Sequence, residues 1–437
     1  MSRLPPPIFN HDPDFPEIFA TPRRVTPSIL MVVLFWTLVT LGNSGSIVVP
    51  APSDQAPVRK IVRRVFHLID SFNVGGTETQ AVELARRLPA TGYEVTVGCL
   101  KREGPLEDRL QGTGIAIREF RSRGGIDTPS GVRQLLRMSW FLRSFDIIHT
   151  HDLWSNLVGV PAARLAGLPA IVSSRRDLSH SEWYQGKRRV CLRWIQNLGG
   201  AIVTNAVPIR DLLLGEDRFE ARKVRVIHNG VDVAKFKSAR NDRVRLFPDA
   251  GDGKLVVLVG NMHTDVKGHP WLIAAVPAVL EQFPGTRFVL VGDGEKRSLF
   301  EKQARDLRVM PNFLFLGRRA DIPEILASCD IAVLPSRAEG LPNAVLEYMA
   351  AGLPVIVSRV GGNAGLVQDG VTGMLVPPED SAALSTALLK LLSEAAMARR
   401  LAQAGHEFTV RNFSFERLVQ DVDALYTELL SDERRSR

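Results

Sequence analysis

Cysteine is scarce. The 437 residues hold three, Cys99, Cys191 and Cys329, far apart and without a CxxC pair. That excludes a disulfide framework and a cysteine-built metal site, and it fits a reducing compartment. His149 and His151 stand two apart, but no further ligands at metal-binding spacing accompany them, so no metal is expected. The GxGxxG dinucleotide fingerprint is absent. A fixed-period repeat is absent too. The formal net charge of +8 comes from basic residues spread along the chain, with no nucleic-acid-binding motif beside them. Nucleic acid is therefore discounted, and an anionic membrane surface or a phosphate-rich small molecule suits the charge better.

Long hydrophobic runs are also lacking. The apolar run at 29–41 is short of the ~20 residues that cross a bilayer. Arg23 and Arg24 precede it, and Gly42, Asn43, Ser44, Gly45 and Ser46 dilute it before 47–49. Basic residues lie on both sides (Arg59, Lys60, Arg63 and Arg64 follow), so charge does not fix an orientation. Three readings stay open: a membrane anchor, a cleaved signal with an awkwardly long leader, or a dispensable extension. Residues 1–27 are proline-rich and aperiodic, and disorder is expected there.

What remains is globular. Hydrophobic residues make up 45% and charged ones 23%, enough apolar material for a sizeable core. The length suggests two or three domains. Strand-like runs at 62–69, 93–100, 116–120, 145–150, 170–174, 201–204 and 224–227 are mostly separated by helical patterns. This βαβα rhythm predicts a parallel, doubly wound sheet. Gly75 and Gly76 follow the first strand and open a helix, where backbone N–H groups can approach a phosphate. A bare structural turn is the simpler reading of that pair taken alone. Thr77 and Gln80 have the spacing of a capping box. His149 and His151 end the strand of FDIIHT, and His151, at the carboxyl edge, is the functional candidate. Arg175 and Arg176 follow another strand at that edge, either solvated or in contact with a substrate phosphate. Stretches 133–145 and 187–195 combine Arg with Trp and Leu. They are amphipathic helices packed on their own sheet, or a surface for an anionic bilayer.

A second βα series starts at 255–260, followed by a loop 261–267 carrying Lys267 and a helix after Gly268. Strands are expected at 288–291, 313–316 and 330–334. The stretch PSRAEGLPNAVLEYMAAGLPVIVSRVGGNAG (335–365) then organises the rest. It sets Glu339 in a Gly-bearing turn, opens a short helix with Pro342 near its first turn, and carries Glu347 farther along. Gly352 closes the helix before a buried strand at 354–357. A helix N-terminus at the carboxyl edge of a parallel sheet favours anions such as phosphate.

The strings VGNMHTDVKGHPWLI, FVLVGDGE, FLGRRADIPEILASCDIAVLPSRAEGLPNAVLEYMAAGLPVIVSRVGG, DGVTGMLVPP and FSFERLVQDVDALYTELL closely resemble retaining GT-B glycosyltransferases of the family-4 type. VGGTE, DIIHTH and VIHNGVDVAKF extend the resemblance over about residues 61–430. Its most specific feature is a pair of glutamates, Glu339 and Glu347, with seven residues between them. The resemblance implies an α/β GT-B fold: two Rossmann-like, doubly wound parallel-sheet domains facing across a cleft. The expected division is an N-terminal extension (1–60), an acceptor-binding domain (61–230), a nucleotide-sugar-binding domain (231–410) and a C-terminal helix returning to the first domain (411–437).

The resemblance also implies roles. Glu339 would bond hydroxyls of the donor sugar, Glu347 the ribose diol, and backbone N–H groups around Leu341, Pro342 and Asn343 the diphosphate. Lys267 would neutralise the leaving phosphate. Gly75 and Gly76 would close over the phosphates, and His151 would contact the donor sugar. Asn261 and Gly362 fall in the donor-binding group. No cofactor or metal is called for, since the nucleotide sugar is a co-substrate. Two positions depart from many relatives: Asn261 stands where arginine is common, and Gly365 where glutamate is common. The expected activity is retaining transfer from a UDP- or GDP-linked sugar to a glycan or lipid-linked glycan, in cell-surface polysaccharide or glycolipid synthesis. The expected location is the cytoplasm, at the inner face of the membrane. A catalytically silent GT-B binding protein and a nucleotide-sugar epimerase are the alternatives.

Overall fold

The computed structural model describes residues 62–121, 128–176 and 185–436. The proline-rich and apolar stretches before residue 62 lie outside the described residues. Among those residues, no helix is long and apolar enough to cross a membrane.

Among the described residues, thirteen strands form two all-parallel sheets. The first sheet comprises β1 (Arg63–Ile69), β2 (Tyr93–Cys99), β3 (Ala116–Glu119), β4 (Ile147–Thr150), β5 (Ala170–Arg175), β6 (Ala201–Thr204) and β7 (Val224–Val226). The second comprises β8 (Leu255–Val259), β9 (Arg287–Val291), β10 (Phe313–Gly317), β11 (Ile331–Leu334), β12 (Val355–Ser358) and β13 (Met374–Val376). Their orders are 3-2-1-4-5-6-7 and 10-9-8-11-12-13. In each sheet the strand order reverses its progression once, between β1 and β4 and between β8 and β11. A crevice opens at the carboxyl ends of the strands at such a point.

Seven helices matter below: α1 (Gly76–Arg87), α2 (Pro129–Leu142), α3 (Leu153–Ala166), α4 (Gly186–Asn197), α5 (His269–Gln282), α6 (Asn343–Ala350) and α7 (Phe415–Ser436). Successive strand residues point to opposite faces. On β1, Val65 and Ile69 pack with Ala81, Leu84 and Ala85 of α1, and Phe66 and Leu68 pack with Met138 and Leu142 of α2. Helix α7 lays Phe415, Leu418, Val422, Leu425 and Tyr426 into the α1 side of that first sheet. One core cluster joins the halves: Ile202, Ala206 and Ile209 of the first pack with Leu334, Leu341 and Val345 of the second. The cleft floor is therefore apolar and closed, and its polar groups stand above it.

The structure departs from two local expectations. Strand β13 went unseen, because three residues after a loop carry no periodicity. Pro342, expected near the first turn of α6, is its cap residue. Thr77 and Gln80 form no capping box: α1 starts at Gly76, Gly75 is its cap, and no side chain caps it. The Gln80 amide is used elsewhere.

Candidate active site

The two reversal points face each other. After β8 comes the loop with Asn261 and Lys267, and after β11 the turn with Glu339. Lys267 Nζ donates to both Glu339 oxygens, at 2.8 and 3.0 Å. The Glu339 side chain is 7% exposed and that of Lys267 26%, so the pair is poorly solvated. Ser336 Oγ donates to Glu339 Oε1 at 2.7 Å. Behind it, Ser358 Oγ bonds the Ser336 carbonyl, and Asn363 Nδ2 donates to the Ser358 carbonyl at 2.9 Å. The carboxylate is thus fixed by a chain running through β12. Gly362 N donates to the Gly340 carbonyl at 2.8 Å. A Cβ on Gly362 would sit 2.0 Å from that oxygen, so only glycine lets the two loops meet.

Leu341 and Pro342 are buried and lead into α6, with Asn343 as its first residue. The N–H groups at the start of a helix and the helix dipole attract an anion. Glu347, one turn on, is partly buried. Burial is the main cause that pushes its carboxyl from 4.5 up to about 7, while Lys235 and Arg109 pull it the other way. Asn261 is exposed on its loop. Gly365 is exposed too, and a Cβ there would meet nothing within 4 Å.

Across the cleft, Gly75 and Gly76 follow β1. The Glu78 carboxylate folds back so that a Cβ on Gly75 would lie 2.1 Å from its Oε2. Gln80 makes two bonds to Gly230: its Nε2 to the carbonyl at 2.8 Å, and its Oε1 from the N–H at 2.9 Å. Asn229 Nδ2 donates to Asn343 Oδ1 at 2.8 Å, and Asn343 Nδ2 donates to the Gly76 carbonyl at 3.3 Å. This amide network ties the glycine loop of one domain to the helix start of the other. The sequence reading missed Gln80, Asn229 and Ser336 as site members. Their signals, a glutamine in a helix, the asparagine of HNGVD and a serine after a strand, are too common to stand out.

His151 follows β4 and is 1% exposed. His67 of β1 lies beside it, with His67 Nδ1 and His151 Nε2 2.7 Å apart and sharing one proton. His149 is hydrogen-bonded at both nitrogens, to Tyr426 OH at 2.8 Å and Ser174 Oγ at 2.9 Å. Burial drives the His67 pKa down to about 3 and those of His149 and His151 well below the usual value, so all three are neutral. Their ring nitrogens come within 4.8 Å of one another, close enough to raise the question of a metal. The rings are stacked, however, with interplanar angles of 13° for His67–His151 and 22° for His149–His151. Lone pairs lie in the ring plane, so stacked imidazoles do not converge on one ion. His67 and His151 are a buried hydrogen-bonded pair, and His149, stacked on His151, is tied separately to Tyr426 and Ser174. Arg175 is 3% exposed and paired with Asp217, which Arg189 also contacts at 2.5 Å. Of the two arginines at the end of β5, Arg176 reaches the cleft network through Asn229.

Comparison with known proteins agrees with this geometry. Residues 74–235 match the model of Glycosyltransferase Family 4, and residues 253–394 that of Glycosyl transferases group 1. The chain is 26% identical over 369 residues to the Escherichia coli UDP-Gal:alpha-D-GlcNAc-diphosphoundecaprenol alpha-1,3-galactosyltransferase, covering 82% of this chain and 95% of that one. It is 28% identical over 367 residues to the phosphatidyl-myo-inositol mannosyltransferase of Mycobacterium leprae, covering 82% and 94%. Among solved structures, Anabaena HepE in complex with UDP-glucose superposes with a TM-score of 0.74 at 22% identity, over 84% of this chain and 99% of that one. With its two reversal points facing across one cleft, the chain belongs to the GT-B glycosyltransferases of the family-4 type.

Proposed function

We propose that this glycosyltransferase moves a sugar, with retention of anomeric configuration, from a UDP- or GDP-linked donor to a glycan or lipid-linked glycan acceptor. The product would enter cell-surface polysaccharide or glycolipid. The observation that carries this reading is the Lys267–Glu339 pair at the β8/β11 reversal, beside the α6 N-terminus and opposite Gly75 and Gly76.

In this reading the diphosphate lies at the first turn of α6, and the ribose hydroxyls donate to Glu347. The sugar lies between Glu339 and His151. The bond from the anomeric carbon to the diphosphate oxygen breaks, and its electron pair stays on the leaving nucleoside diphosphate. The acceptor oxygen attacks from the same face, and its proton passes to the leaving phosphate oxygen. Lys267 and the helix N-terminus hold the charge that develops, through groups fixed before the reaction starts. Glu339 bonds sugar hydroxyls and positions the ring. The chemistry calls on no divalent cation. UDP-linked sugar in the HepE structure, and the UDP-sugar and diphospholipid in the name of the Escherichia coli relative, support this choice of donor and acceptor.

A surface on the first domain supports an anionic membrane as the place of work. Helix α2 exposes Val132, Leu136 and Trp140 at four-residue spacing, at 38%, 57% and 73%. Helix α4 exposes Val190 and Trp194. Both helices pack on α3, neither carries a carboxylate, and Arg133 and Arg137 flank the stripe. Apolar side chains framed by arginines suit a lipid surface with negative headgroups.

The test is a thermal-shift screen of UDP- and GDP-sugars, followed by mass and NMR analysis of the product from a lipid-linked glycan acceptor. A transferred sugar with the donor's anomeric configuration supports the proposal. Inverted product, or no stabilisation by any nucleotide sugar, refutes it.

A further inference from the structure

Arg176 is a cleft cation without an anion. Among the described residues it forms no ion pair. Its Nη1 donates to Asn229 Oδ1 at 2.9 Å, and its Nε is buried without a partner. Burial pulls its pKa down to about 10, and the attraction of Glu78 offsets that only in part. A half-satisfied, poorly solvated guanidinium costs stability, and such groups are kept where a ligand completes them.

The surroundings say which ligand. The Arg176 carbonyl stands 2.6 Å from where a Cβ on Gly340 would be, against the turn that carries Glu339. Asn229 passes the contact on to Asn343 at 2.8 Å, the first residue of α6. Asn343 in turn reaches the Gly76 carbonyl. The guanidinium is therefore two hydrogen bonds from the helix N-terminus that faces the cleft. The charges there do not yet balance a diphosphate. Lys267 is held by both oxygens of Glu339, so those two cancel. A nucleoside diphosphate sugar brings about two negative charges, and a helix N-terminus offers about half a positive one. Arg176 lies on the opposite wall and is free to supply a planar, bidentate donor to phosphate.

We propose that Arg176 is a phosphate-binding residue contributed by the first domain, which donates to a non-bridging oxygen of the donor diphosphate in the closed cleft. It then shares with Lys267 the charge left on the departing nucleoside diphosphate. The proposal rests on the donor reading above. A phosphate on a lipid-linked acceptor has the same chemistry, so the test must separate the two sources.

The full-length protein, Arg176→Gln and Arg176→Lys are titrated calorimetrically with UDP, GDP and the matching nucleosides. Kinetics then follow with the donor and acceptor. For Arg176→Gln, affinity for the preferred diphosphate should fall ~10–100-fold, as expected for a lost charge-assisted bond. Nucleoside affinity should stay within about twofold, and kcat should fall ~100-fold. Arg176→Lys should recover part of both losses, and it serves as the test variant if the glutamine protein does not fold. Unchanged diphosphate affinity overturns the proposal. So does a rise confined to the acceptor KM, which assigns the residue to an acceptor phosphate. Equal loss of diphosphate and nucleoside affinity also overturns it, because that marks a structural role. If the unaltered protein binds neither diphosphate, the donor reading itself has failed. If it binds and Arg176→Gln binds equally well, only this inference has failed.

Discussion

Glu347→Gln should make the protein more stable above neutrality while crippling donor binding. Burial raises the Glu347 carboxyl from 4.5 to about 7. A carboxyl whose folded pKa exceeds its unfolded one holds its proton more tightly when folded. The ionised group therefore costs stability. The cost is absent below about pH 4.5, grows as pH rises to 7, and is complete above that. At about 1.4 kcal/mol for each pH unit, the upper bound is about 3 kcal/mol, and partial exposure brings it toward 1–2 kcal/mol. Glutamine keeps the shape and removes the charge. At about 2–4 °C per kcal/mol, Glu347→Gln should melt a few degrees higher than the unaltered protein at pH 8. At pH 5 the two should melt together. Two hydrogen bonds from a ribose diol to a carboxylate are worth about 1.5–3 kcal/mol each, so the variant should bind the nucleoside diphosphate ~100-fold more weakly at pH 8. Scanning calorimetry from pH 5 to 8 at one scan rate, with titration of the nucleotide, measures both effects. A variant that melts lower at pH 8, or that binds nucleotide as well as the unaltered protein, refutes the reasoning.

Further consequences can be checked directly. Lys267→Ala should lower kcat/KM at least ~100-fold and leave the Glu339 carboxylate, 7% exposed, without its cation, costing about 1–3 kcal/mol in chemical denaturation. Gly362→Ala should push the Gly340 loop away, because its Cβ would lie 2.0 Å from the Gly340 carbonyl, and activity should fall ~10-fold or more in steady-state assays. Gly365→Glu should leave the melting temperature within a degree or so, since the added side chain enters open space, and any change should appear in the donor KM. Leu136→Ser with Trp140→Ser should abolish sedimentation with phosphatidylglycerol vesicles and raise the KM for a lipid-linked acceptor, with turnover of a water-soluble acceptor unchanged.

The sequence made the sheets legible because buried parallel strands read as short apolar runs between helical patterns, and twelve of the thirteen strands announced themselves that way. Strand β13 did not, since Met374–Val376 is too short to show a period. Glu339, Glu347 and Lys267 were visible through the family resemblance, as residues with separate tasks. Their coupling was not visible. Lys267 and Glu339 are 72 residues apart, and only the β8–β11 adjacency puts ammonium against carboxylate. Gln80 shows the opposite failure. Its spacing from Thr77 fits a local cap, yet a bidentate bond to Gly230, 150 residues away, claims the side chain. His67 was hidden inside the apolar β1 run, where nothing local distinguishes a histidine bonded across strands from an ordinary core residue.

The charges of the cleft are arranged at a cost that a bound donor would relieve. Burial opposes ionisation of Glu347, and Arg176 has one donor nitrogen unpaired. Lys267 and Glu339 are poorly solvated and satisfy each other. Around them runs a network of neutral amides, Gln80, Asn229 and Asn343, that holds the two domains together without adding charge. Amides suit this place because each both donates and accepts, so Asn343 can exchange the Gly76 carbonyl for a phosphate oxygen while Asn229 stays bound to Arg176. A nucleotide sugar would then do three things at once. Its diol would satisfy Glu347, its diphosphate would pair with Arg176 and the α6 N-terminus, and its sugar would take up Glu339 and free Lys267 for the leaving oxygen. Binding energy from the nucleotide would thereby be spent on parting the Lys267–Glu339 pair, which is the rearrangement that turns a resting ion pair into a cation poised at the breaking bond.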